Sequence, residues 1–176
     1  MSDAGLKKKA AAIRLLVLDV DGTLTDGGVY IDSNGVQSKK FNIRDGMGIT
    51  LLHEKGIPVG IISHSRARTI LEERARMLGI ERVYSGKEPK LSVMMQWMQE
   101  MALSFEQVAY IGDDVNDLEV LEKVGFSACP HDAHFSLVKV VDVVLQRNGG
   151  EGCVREFIDR FLLAIIAAAI IASVFP

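Results

Sequence analysis

Cysteine is scarce. Cys129 and Cys153 are the only two in 176 residues. Their separation fits no zinc or redox motif and suggests no disulfide framework, so a reducing cytoplasm is the expected setting. An excess of charge of one sign is also lacking. Twenty Lys and Arg stand against 23 Asp and Glu, a net charge of −3, which gives no electrostatic reason to expect nucleic acid as a partner. The basic run Lys7-Lys8-Lys9 is short and terminal, and reads as part of a flexible, solvated segment over residues 1–12. The apolar stretch behind it is broken by Arg14 and runs into Asp19 and Asp21, which argues against a secretory signal. Internal repeats and low-complexity linkers are missing too. What is present, 48% apolar and 24% charged residues, is the profile of one globular domain large enough to bury a core and a pocket.

Short apolar, β-branched runs alternate with amphipathic segments. "AIRLLVLDV", "IPVGIIS", "RVYSG", "QVAYIGDD", "FSACP" and "DVVLQ" read as strands. "RDGMGITLLHEKG", "RARTILEERARMLG", "PKLSVMMQWMQEMA", "DLEVLEKVG" and "CVREFIDRFLLAIIAAAIIA" read as helices, two of them closed by Gly56 and Gly79. "GGVYIDSNGVQSKKFNI" carries a Ser-Asn-Gly turn between extended arms and reads as a β-hairpin. The alternation predicts an α/β, Rossmann-like parallel sheet with helices on both faces and a hairpin inserted after the first strand.

In such sheets ligands bind beyond the carboxyl ends of the strands. Asp19, Asp21, Ser63 and Asp113 each stand at the end of an apolar run, so the topology gathers them on one rim. Several carboxylates together call for a cation, and hard oxygen ligands suit Mg²⁺. A calcium loop of the EF-hand kind does not fit: counted from Asp19, Gly22 falls at loop position 4 and Tyr30 at position 12, where that loop needs glycine at 6 and glutamate at 12. Of two acids at this spacing, one can stay ionised as nucleophile while the other carries a proton as general acid and then base. Gly22 lets the backbone approach a phosphate, Ser63 offers a hydroxyl, and Lys90, with Lys87 as its competitor, offers a fixed positive charge. These are the parts of phosphoryl transfer.

"DVDGTLTDG", "IIS", "PK" and "GDDVND" resemble the four motifs of the haloacid dehalogenase superfamily of phosphatases. "FNIRDGMGI", "VAYIGDDVNDLEVLEKVG" and "NGGEGCVRE" resemble the signatures of its 3-deoxy-D-manno-octulosonate 8-phosphate phosphatase branch. The likeness spans residues 13–160. It implies that Asp19 attacks phosphorus and that Asp21 protonates the leaving hydroxyl and then activates water. It implies that Mg²⁺ is held by the carboxylates of Asp19 and Asp113 and the carbonyl of Asp21. Gly22, Ser63 and Lys90 would hold the phosphoryl group, and Asp114, Asn116 and Asp117 would support the metal. Arg44 would meet the substrate carboxylate, which guanidinium matches in a bidentate way. The implied substrate is the eight-carbon sugar acid phosphate of lipopolysaccharide biosynthesis. A nine-carbon acid 9-phosphate, or a catalytically silent assembly domain, are the alternatives. One departure stands out: Ser63 is followed by His64-Ser65-Arg66, where the branch has Gly and then Arg or Glu.

The gaps between motifs leave no room for a large cap domain, and the branch closes its open sites by forming a homotetramer. Residues 161–176 carry no charge. As a helix they would span about 24 Å, at ~1.5 Å per residue, short of the ~30 Å bilayer core, so membrane insertion is disfavoured and packing on the sheet and on a neighbouring subunit is expected. His131 and His134 read as a polar loop, Arg155 and Glu156 as a structural ion pair or a substrate contact, and Met94, Met95, Met98 and Met101 with Trp97 as core or interface.

Overall fold

The computed structural model describes residues 2–164. Six parallel strands form one sheet in the order β5-β4-β1-β6-β7-β8, where β1 is Leu15–Leu18, β4 Val59–Ser63, β5 Arg82–Ser85, β6 Val108–Ile111, β7 Phe126–Cys129 and β8 Val143–Val144. The first strand is central, with Leu16 opposite both Val59 and Ala109. The chain first winds outward on one side and then crosses back, so β1 and β6 flank the point where strand order reverses. Strand β2 (Tyr30–Ile31) pairs antiparallel with β3 (Gln37–Ser38), forming the expected hairpin.

Side chains alternate across the sheet, and both faces are dry. Leu16 and Leu18 of β1 face the helices α1 (Asp3–Ala12), α2 (Ile43–Glu54), α3 (Arg68–Leu78) and α6 (Cys153–Phe157). Leu15 and Val17 face α4 (Lys90–Glu100) and α5 (Leu118–Leu121). This two-sided burial explains why β1 and β6 read as unbroken apolar runs. Trp97 of α4 lies so close to β4 that a Cβ on Gly60 would come within 2.7 Å of its ring. Met94 and Met98 join this core, while Met95 is half exposed.

Three local expectations are corrected. Residues 1–12 were expected to be a flexible lead-in, but residues 3–12 form α1. Ser2 caps it, Ala10 is buried in the core, and Lys9 pairs with Asp142 at 2.6 Å. The helix expected over 117–125 is a 3₁₀ turn over Val115–Asp117 followed by only one turn of α-helix. The last helix leaves α geometry after Phe157 and continues as a π-helix over Ile158–Leu163. Phe161 is buried there against Phe126 and Phe157, with ring centroids 5.2 and 5.4 Å apart. Such aromatic pairs add about 0.5–1.5 kcal/mol each beyond area burial. No helix among the described residues is long and apolar enough to cross a membrane. The rest of the apolar tail, 165–176, lies outside the described residues.

Candidate active site

The site begins one residue past the β1 ladder. The Asp19 N–H donates to the Ile111 carbonyl at 3.0 Å, which places this side chain between the ends of β1 and β6. The chain then turns sharply: the Thr23 and Thr25 N–H groups both donate to the Val20 carbonyl, at 3.2 and 3.0 Å. Gly22 sits in this turn at φ +85°, and a Cβ there would lie 2.0 Å from an Asp113 carboxylate oxygen. Only glycine satisfies both demands. From the far end of the chain Gly149 backs the same turn; a Cβ on it would lie 1.8 Å from the Gly22 carbonyl oxygen.

Asp113 follows β6, and Asp117 folds back beneath it. Asp117 is fully buried, and its carboxylate is saturated. Oδ1 accepts from Lys90 Nζ at 2.7 Å and from the Tyr110 hydroxyl at 2.5 Å, and Oδ2 accepts from the backbone N–H groups of Asp113 and Asp114 at 3.2 and 3.4 Å. Gly112 makes room, since a Cβ there would lie 2.4 Å from Asp117 Cγ. Lys90, only 2% exposed, also donates to Asp19 Oδ1 at 2.7 Å. Lys90 is thus the lysine that reaches the acids, while Lys87 lines a separate cleft of about 510 Å³ with His64, Ser65 and Arg66.

Ligand oxygens of Asp19, Asp113 and Asp117 lie within 4.8 Å of one another. Burial, then repulsion from Asp117, raises the Asp19 carboxyl to about 6 against the pull of Lys90. Burial, then Asp19, raises Asp113 to about 8. Burial disfavours the Lys90 ammonium, yet Asp19 and Asp117 hold it above its usual range. Burial, then Asp117, pushes the Tyr110 hydroxyl well above its ordinary value. Three acids share one ammonium, and the arrangement is short of positive charge. A divalent cation fits that deficit. A carboxylate has about four lone-pair sites. Those of Asp117 are engaged by protein donors, so within the cluster Asp117 orients its neighbours.

The other expected residues divide by contact. Ser63 is buried at the end of β4, its Oγ accepting from the Ser65 N–H at 3.0 Å. Asp21 is partly exposed and ion-paired with Lys39. Asp114 caps the following turn through the Val115 N–H at 2.7 Å, and Asn116 is exposed. Arg44 is also exposed. It lines a cleft of about 500 Å³ with Arg147, Arg155 and Arg160, and no rim aspartate lines that cleft. The His134 N–H braces the Asp113 carbonyl at 2.8 Å, and Asp132 accepts from Gly149 N–H. Arg155 and Glu156 make structural pairs with Asp159 and Arg160. Sequence reading overlooked Tyr110 and Lys39. A hydroxyl inside the apolar run before "GDD" could have signalled Tyr110; nothing local signals Lys39.

A model of the haloacid dehalogenase-like hydrolases matches residues 48–125. The chain is 44% identical over 161 residues to the 3-deoxy-D-manno-octulosonate 8-phosphate phosphatase KdsC of Escherichia coli, covering 92% of this chain and 85% of the relative. It belongs to the 3-deoxy-D-manno-octulosonate 8-phosphate phosphatase family of haloacid dehalogenase-like hydrolases. The solved phosphatase of this name from Yersinia pestis superposes with a TM-score of 0.89 at 42% identity, covering 94% of this chain and 89% of that one. The one from Moraxella catarrhalis, solved with a magnesium ion, a phosphate ion and a KDO molecule, gives 0.90 at 30% identity, covering 99% and 100%. The protein is therefore a phosphoric monoester hydrolase of the haloacid dehalogenase-like fold, and the acid cluster of this phosphatase is a divalent-metal site.

Proposed function

We propose that this phosphatase hydrolyses 3-deoxy-D-manno-octulosonate 8-phosphate with Mg²⁺, through a phosphoryl group carried on Asp19. The 44% identity to a phosphatase named for that substrate carries the reading. The acid cluster supports the chemistry. Asp19 presents one oxygen to Lys90 and attacks phosphorus in line with the other. Ser63 and Lys90 bind phosphoryl oxygens, and Gly22 lets backbone N–H groups approach them. Asp21, on the exposed side of the turn, gives its proton to the leaving hydroxyl and takes one back from water. Asp19 and Asp113, with the Asp21 carbonyl, hold Mg²⁺. The ion, when bound, supplies charge neutralisation at the transferring group. Arg44 remains the proposed partner of the sugar acid carboxylate.

Cytoplasmic location and a homotetramer complete the proposal. Val29, Tyr30, Ile31 and Val36 leave the hairpin with exposed apolar side chains, and Ile43 and Met47 are exposed on α2, which suits burial between copies. Light scattering reads the assembly; a monomer at micromolar concentration would overturn it. The substrate is tested by phosphate release from eight- and nine-carbon sugar acid phosphates. The expected result is a kcat/KM at least about tenfold higher for the eight-carbon ester, ~1.4 kcal/mol in barrier. A preference for a nine-carbon ester would overturn it.

A further inference from the structure

Asp21 has a partner that the phosphoryl-transfer scheme does not use. Lys39, one residue past β3, reaches back to the Asp21 carboxylate. The Thr25–Phe41 bridge pins that segment beside the turn carrying Asp21. Two successive lysines meet this turn: Lys39 on Asp21 and Lys40 on Asp26, the latter at 3.1 Å. They are buried very differently. The Lys40 side chain is 57% exposed and its pair is an ordinary surface pair, whereas the Lys39 side chain is 3% exposed. A surface pair contributes little. An ammonium withdrawn from water is costly unless its partner compensates it. Its cleft mixes Phe41, Ile70 and Met77 with Thr69, Glu73 and Arg74, and Asp21 is the acid that Lys39 pairs with.

We propose that Lys39 is a positioning residue for the proton step: it fixes the direction of the Asp21 carboxyl and offsets the negative charge left when the proton departs. The inference rests on the reading of Asp21 as the acid. As the Asp19 oxygen bonds to phosphorus, the bond from phosphorus to the leaving oxygen breaks. Its electron pair stays on that oxygen, which takes the Asp21 proton. Asp21 is left as a carboxylate facing Lys39. When water attacks, its proton passes to Asp21 and the bond from phosphorus to Asp19 breaks. Lys39 keeps its own protons throughout.

The test is a series of aryl phosphates whose phenols run from strongly to weakly acidic, followed by kcat/KM on the Mg²⁺-loaded protein. Strongly acidic phenols leave without a proton; weakly acidic ones need it. Lys39→Met keeps the buried stem and removes the charge. Its loss relative to wild type should grow along the series by about tenfold to a hundredfold, part of the ~10²–10⁴ that general acid catalysis supplies. Lys39→Arg should recover most of that slope, and Lys39→Gln serves if the Met variant does not fold. Asp21→Asn is the control. A flat series in Asp21→Asn removes Asp21 as the acid, and the Lys39 assignment goes with it. A steep series in Asp21→Asn with a flat one in the Lys39 variants overturns Lys39 alone. A KM rise equal for all esters with kcat unchanged would make Lys39 a substrate contact and also overturn the proposal.

Discussion

Asp45 and the Asp19–Asp113–Asp117 cluster are both sets of carboxylate taken out of water, and burial lifts the Asp45, Asp19 and Asp113 carboxyls alike. Asp45 is 1% exposed and is raised to about 6, with the N–H groups of Arg155, Gly152 and Val154 pulling the other way. One oxygen accepts from the Arg155 N–H at 2.7 Å; the other has no partner among the described residues. It is a lone acid set against the start of α6, and it joins two helices. In the cluster, three acids bring ligand oxygens within 4.8 Å of one another, with Lys90 between two of them. Burial is common to both places. What separates the two places is the imbalance of charge: three acids share one ammonium in the cluster, whereas Asp45 faces no second acid and meets the backbone N–H groups at the start of α6.

The sharpest way to break this contrast is chemical. Asp19→Asn should lower kcat by at least about 1,000-fold, ~4 kcal/mol, because an amide is no nucleophile. Asp45→Asn should stay within about tenfold of wild type. Circular dichroism shows whether each is folded, and phosphate release measures the rest. Comparable losses in the two would erase the distinction.

Next comes the charge balance. Lys90→Met leaves Asp19 and Asp117 buried without their shared ammonium, and should cost about 3–5 kcal/mol in urea unfolding without metal. Mg²⁺ at a hundred times its Kd should return about 2.7 kcal/mol to the wild-type chain, equally to Asp45→Asn, and little to Asp113→Asn. Stabilisation of Asp113→Asn equal to that of wild type would remove Asp113 as a ligand.

The smallest effect belongs to Asp45 itself. Its folded value of about 6 lies above the ordinary 3.8, so the folded chain holds a proton that the unfolded chain has lost. Stability from this group is full below pH ~4 and declines as pH rises to ~6. Each tenfold gain in proton affinity on folding is worth about 1.4 kcal/mol, so after relaxation about 2 kcal/mol should separate the ends of that window. Unfolding free energies of wild type and Asp45→Asn, subtracted across pH 4–6, isolate it from the rim acids, whose slopes have the same sign. A constant difference would mean that Asp45 takes up protons no more readily in the folded chain than in the unfolded one.

The sheet was legible because its central strands are buried on both faces: Leu15–Leu18 is wholly apolar, and Val108–Ile111 is broken only by the Tyr110 hydroxyl. Asp19, Asp21 and Asp113 were legible because chemistry in this architecture gathers past strand ends. Asp117 was visible as an acid but could not be ranked, since its saturation depends on Lys90 and Tyr110 arriving from elsewhere. Lys39 was hidden for the same reason: its neighbour Lys40 looks identical in sequence and ends at the surface. The helix at 3–12 was missed because a lysine run masks two inward positions, Leu6 and Ala10. The π turn after Phe157 keeps an apolar pattern that an α-helix would share.

The glycine loop at 149–150 has a bearing on how this protein is made. Gly149 lies against the Gly22 carbonyl, and the Gly150 N–H donates to the Thr23 carbonyl at 3.0 Å. The first turn of the site is thus braced by a segment that leaves the ribosome long after it. A growing chain that has exposed Asp19, Lys90, Asp113 and Asp117 already owns every acid and base of the cluster, and β1 and β6 can pair. It still lacks the segment that holds Gly22 in place. Synthesis proceeds from the N-terminus at about 5–20 residues per second, so several seconds separate the appearance of Asp19 from the closing of its loop, and a half-made chain carries a cation-seeking cluster whose first turn is not yet braced.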